Sequence, residues 1–117
     1  MVTSKDEKDL GQQILSNGLR TAIIDIDLQF YKGSIYKLRW GSPGGLDEAL
    51  PCYRSAASVV GATPWPAGMR DIADQLAARV QSYILILEAQ DVTSASAQHS
   101  VMMANFEALK EYVRNWP

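Results

Sequence analysis

Side-chain chemistry needs groups that converge, and this sequence offers few of them: one histidine, His99, and one cysteine, Cys52. A metal site built from several His and Cys ligands is therefore not expected. No Glu-x-x-His occurs, which removes the usual di-iron carboxylate bundle, and no Cys-x-x-Cys-His is present for c-type haem. A nucleophilic serine, or Cys52, would have to share His99 as its base. Acid–base work could fall to the close carboxylate pairs Asp25/Asp27, Asp47/Glu48, Asp71/Asp74 and Glu107/Glu111. The last two pairs fall on polar helix faces, where acidic residues need no special role. Asp25 and Asp27 interrupt an apolar run, which calls either for an alternating strand or for a cation such as Arg39 beside them. "GSPGG" (Gly41 to Gly45) has no following Lys-Ser/Thr and is not a phosphate loop. These observations predict no catalytic residue, no metal and no cofactor. One constellation stands apart: His99 lies a turn before Met102 and Met103 on an apolar seam. A planar ligand such as a b-type haem could sit there, which defines an alternative reading as a ligand-binding bundle with its pocket near His99 and Met102.

The elements that must position these residues follow from composition and spacing. With 117 residues, 47% hydrophobic and 21% charged, the chain has the balance of a single globular domain over 1–117. A net charge of −2 creates no field for phosphate backbones, so nucleic acid is not an expected partner. The charged start, Ser4 to Asp9, is unlike a signal peptide. The strongest apolar block, "YILIL" (Tyr83 to Leu87), is far short of the ~20 residues that span a bilayer. The expectation is a cytoplasmic protein with no membrane partner.

Ser4 and Glu7 have capping-box spacing and predict a helix from Lys5, with Leu10, Ile14 and Leu15 as its buried stripe. Asn17-Gly18 could end it or lie within a longer helix. Residues 21–40 admit two readings. As a β-hairpin around Lys32-Gly33-Ser34, alternation pairs Phe30 with Tyr36, Leu28 with Leu38 and Ile26 with Trp40, and sets Asp27 opposite Arg39. As a helix buried on two sides, Ala22, Ile26, Phe30 and Gly33 share one face, and Thr21, Asp25, Gln29 and Lys32 a polar one. We favour the helix, because an isolated hairpin is marginal and everything downstream is helical. The alternative is an α+β fold with the hairpin at about 22–40 packed on helices. Further on, Ala49, Tyr53, Ala56 and Val60 form one helical stripe. Met69, Ala73, Leu76, Val80, Tyr83 and Leu87 form a heptad seam, and Ala95, His99, Met102, Phe106, Leu109, Val113 and Trp116 a second. Thr93 and Ser94 are N-cap candidates for the last helix. The fold class predicted is all-α, a small four-helix bundle or array.

"KGSIYKLRWG" followed by "LDEALPCYRSA" resembles a tetratricopeptide repeat, a helix–turn–helix unit of interaction scaffolds. Gly33 and Tyr36 match the small residue and aromatic of its first helix. Leu46, Ala49, Tyr53 and Ala56 match its second, and Pro64 the proline that follows. The resemblance covers residues 29–64 and departs from the family in its longer turn, which carries Ser42-Pro43-Gly44-Gly45, and in having no second repeat. What it implies is protein binding.

Three residues are candidates for such contacts. Trp65 stands between Pro64 and Pro66, and exposed aromatic anchors are enriched at interfaces. A lid over the end of the bundle is the competing role for that ring. Leu85 points roughly 200° away from Tyr83 at ~100° per residue, with Ile86 to one side. A two-helix hairpin leaves Leu85 wet, and hiding a leucine is worth about 1.5–3 kcal/mol. The earlier helices or another chain must cover it. The function expected is a protein-interaction or assembly module (an adaptor, scaffold or stoichiometric inhibitor or immunity type), acting on a protein partner or as a homodimer.

Overall fold

The computed structural model describes residues 4–37 and 45–116, with side chains at 10–35, 48–91 and 93–116. It is all-α: α1 (Ser4–Lys37), α2 (Gly45–Ala62), α3 (Ala67–Glu88) and α4 (Val92–Arg114). The hairpin alternative does not occur over 22–37. Its partners Leu38, Arg39 and Trp40 lie outside the described residues, as do the Ser4, Glu7, Tyr36 and Leu46 side chains. The apparent alternation of Ile24, Ile26, Leu28 and Phe30 has a helical cause. Ile26 and Phe30 are one four-residue step apart and buried, whereas Ile24 and Leu28 are the same step apart and exposed. Two rows on opposite faces interleave and mimic a strand.

α1 does not end at Asn17-Gly18. The chain stays helical through both, and the Thr21 hydroxyl donates to the Asn17 carbonyl over 2.9 Å. Its buried face consists of Leu19, Ala22, Ile26 and Phe30, so the helix is buried on one side rather than two. The stripe expected at its start is also corrected: Leu10 and Ile14 are exposed, and Leu15 is half-buried. Length is the reason. The 34 residues of α1 span about 51 Å, whereas the 18–23 residues of the other helices span about 27–35 Å. Residues 10–14 are exposed on every side, and the molecule is 62 Å along its longest axis.

The other three helices match their stripes. Ala49, Tyr53, Ala56 and Val60 are buried on α2, and all six seam residues on α3 are buried. On α4, Ala95, Met102, Phe106, Leu109 and Val113 are buried, with His99 and Trp116 half-buried. α3 and α4 run antiparallel, with Tyr83 beside His99 at one level and Gln75 beside Asn105 at another. Between them Gln90 takes a left-handed φ of 57°. The N-cap is Asp91, not Thr93 or Ser94: its carboxylate accepts from the Ser94 N–H over 3.1 Å. The Ser94 side chain first, and then the Ser94 and Thr93 N–H groups, hold the Asp91 carboxyl below its ordinary range.

An aromatic chain ties the four helices together. Phe30 of α1 meets Phe106 of α4 edge-on at 5.0 Å, and Tyr53 of α2 meets Tyr83 of α3 edge-on at 4.8 Å. Phe30 and Tyr53 join the two pairs at 6.0 Å. α1 approaches α2 where Gly33 faces the Tyr53 ring so closely that a Cβ on residue 33 would lie 2.6 Å from it. Burial pushes both tyrosine hydroxyls above their ordinary range; for Tyr53, the nearby Ser34 and Tyr83 hydroxyls pull the other way. Neither hydroxyl is aligned for a hydrogen bond.

Candidate interaction surface

Among the described residues, nine large hydrophobic side chains are exposed, and six of them lie on α1. They are Leu10, Ile14, Ile24, Leu28, Tyr31 and Ile35, with exposures from 44% at Ile35 to 66% at Ile24 and Tyr31. Asn17 and Thr21 fill the gap between Ile14 and Ile24, so the row steps by four and three residues throughout. At about 100° per residue this row is centred roughly 180° from the buried face of Leu19, Ala22, Ile26 and Phe30. α1 is therefore apolar on two opposite faces, and only the inner one is covered.

The row has charged flanks. Asp25 and Lys32 border one side, and Arg20 and Asp27 the other, all exposed. This placement accounts for Asp25 and Asp27 within an apolar run: they are the two margins of the outer row. The Thr21 hydroxyl is already bonded to its own helix, so its outward surface is a methyl group with no unmet donor.

The residues singled out from the sequence fall elsewhere. Trp65 is 7% exposed, and its indole N–H donates to the Val60 carbonyl over 2.8 Å. The ring closes the connector between α2 and α3 beside a cleft of about 210 Å³ lined in part by Arg70 and Asp74. That is smaller than the ~300–1,000 Å³ usual for small-molecule sites. Leu85 is exposed at 65%, whereas Ile86 is half-buried against the core. The neighbours of Leu85 on that face, Gln81, Ser82 and Glu88, are polar or charged, which leaves it isolated. His99 packs its ring against Tyr83 at 5.6 Å, and Met102 is fully buried. Cys52 is buried, with its Sγ 3.7 Å from the Glu48 carbonyl. Glu107 and Glu111 pair with Lys110 and Arg114 on the surface of α4. Among the described residues no three His, Cys, Asp or Glu side chains gather as a metal site, and no helix is long and apolar enough to cross a membrane.

Trp65 thus stands apart from Leu85 and Ile86, and none of the three belongs to the outer row of α1. Its signal was present as the same four-and-three spacing that identified the seams of α3 and α4. Reading Leu10 and Ile14 as a buried stripe, and residues 21–40 either as a helix buried on two sides or as an alternating hairpin, hides it. Compared with family models, curated proteins and solved structures, the chain matches none.

Proposed function

We propose that the chain is a protein-interaction or assembly module that works by stoichiometric binding. The observation that supports this reading is the outer row of α1: six large apolar side chains in continuous helical register, exposed on a bundle whose core is otherwise filled. Large apolar side chains gathered on one exposed helix face mark contact sites, whereas scattered single residues do not. The tetratricopeptide-like pattern of residues 29–64 agrees with this class of function by analogy.

The test is purification of the tagged chain from its own cells, as wild type and as Ile24→Glu/Leu28→Glu, with native mass measured for each. The expected result is a stoichiometric complex, with another polypeptide or with a second copy, for the wild type and its loss in the variant. A wild type recovered alone as a monomer would overturn the reading. A tightly bound small molecule would move it to the ligand-binding alternative.

A further inference from the structure

We propose that the outer row of α1 is the seam of a parallel, in-register, two-stranded coiled coil formed with a second copy of this chain. The inference deepens the interaction reading by naming the occupant, and it rests on the same surface. Leu10 to Ile35 spans nearly four heptads, the length at which such a seam is a structural signal. Three of the four a positions (Ile14, Thr21 and Ile35) are β-branched, while only Leu10 of the d positions (Leu10, Asn17, Ile24 and Tyr31) is the leucine that two-stranded coils favour there, so the pairing is argued from charge. Because the bundle packs on the opposite face of α1, a second helix can lie along the row without displacing a contact among the described residues.

Charge decides the occupant and its direction. In a parallel pair each residue preceding an a position lies beside the residue following the next d position on the other helix. Arg20 of one copy then meets Asp25 of the other, and Asp27 meets Lys32. Symmetry doubles both, so all four charged contacts are attractive. Asn17 faces Asn17 across the axis, where each amide has both a donor and an acceptor to offer the other. Antiparallel registers fare worse. One sets Arg20 against Arg20, and another sets Asp25 against Asp25 and Asp27 against Asp27. The register that pairs Arg20 with Asp27 leaves the Asn17 amide opposite Leu28, buried against an apolar side chain. A self-complementary charge pattern with one central polar pair fits a second copy of this chain.

The experiment is sedimentation equilibrium of the purified full chain, with circular dichroism as the folding control. The wild type is expected at twice the 12.9 kDa chain mass. Ile24→Glu/Leu28→Glu should sediment as a folded monomer, since both side chains are exposed within one chain. Arg20→Glu should weaken the dimer by roughly tenfold, because two attractive contacts become repulsive. Adding Asp25→Arg to Arg20→Glu should restore it in the parallel arrangement alone; in the antiparallel one Glu at 20 still meets Asp27. A monomeric wild type overturns the second copy as occupant, and the interaction reading then stands or falls on capture of a different polypeptide through the same row. A dimer that survives Ile24→Glu/Leu28→Glu, or a wild-type trimer, overturns the proposed seam. A reversed pair that stays dissociated overturns its direction.

Discussion

The inner seam of α3 and the outer row of α1 are written in the same spacing and have opposite fates. Met69 to Leu87 steps by four and three residues and is buried along its whole length. Leu10 to Ile35 steps identically and is exposed along its whole length, although five of its eight side chains are branched aliphatic. The difference lies outside both helices. α3 is followed after a short turn by α4, which folds back and lays a matching seam against it. α1 receives α2 and the Phe106 region of α4 on its inner face, and no helix remains for the other. An apolar heptad therefore states that a face wants cover, and the count and length of the remaining helices state whether this chain can supply it.

Substitutions on the two faces should separate stability from association. The largest loss belongs to the covered seam: Leu76→Ala, at a fully buried position, should cost about 2–5 kcal/mol in urea unfolding. A loss well under 1 kcal/mol would show that the α3–α4 seam is not the core.

Next comes alkaline pH. Burial raises the Tyr53 and Tyr83 hydroxyls above the ordinary tyrosine value of 10.0, so the fold favours their neutral forms. That stability is fully present below about pH 10, the unfolded value, and declines as pH rises above it, by up to about 1.4 kcal/mol per pH unit for each tyrosine. Urea midpoints measured from pH 8 to pH 11 should show the decline, and Tyr83→Phe should flatten it. An unchanged slope in that variant would remove Tyr83 as a cause.

Two glycines of α1 make a smaller and sharper contrast. Gly33→Ala drives a methyl group into the Tyr53 ring and should destabilise by about 1–3 kcal/mol. Gly18→Ala, with open space around it, should stabilise by about 0.5–1 kcal/mol through helix propensity. Equal effects would mean that the close approach of α1 and α2 does not matter to the fold.

The smallest effect is expected at the isolated leucine. Leu85→Glu should change stability by no more than about 0.5 kcal/mol and leave the native mass unaltered. A change of mass in that variant would move the interaction surface from α1 to α3.

Much of this architecture was legible in the residues. The stripes of α2, α3 and α4 were readable position by position, because each depends only on the angle between successive side chains; whether the earlier helices cover Leu85 was not, because it depends on where α1 and α2 pack. The inward turn of Trp65 was one of two roles the residues allowed, and what selects it is the Val60 carbonyl coming within reach of the indole N–H. The overhang of Leu10 and Ile14 was not legible, since it depends on α1 being longer than the helices beside it.

The sequence by itself determined which residues share a face and where helices must break, as at Pro64-Trp65-Pro66, because helical periodicity and proline stereochemistry are properties of the local chain. Only the tertiary structure decided which of the two apolar faces of α1 is covered. Ala22 is small and Phe30 flat, and Gly33 admits the Tyr53 ring, so α2 can approach closely on that side. Burial goes to the face where neighbouring helices can reach close contact, and one chain of four helices cannot close around both sides of its longest one.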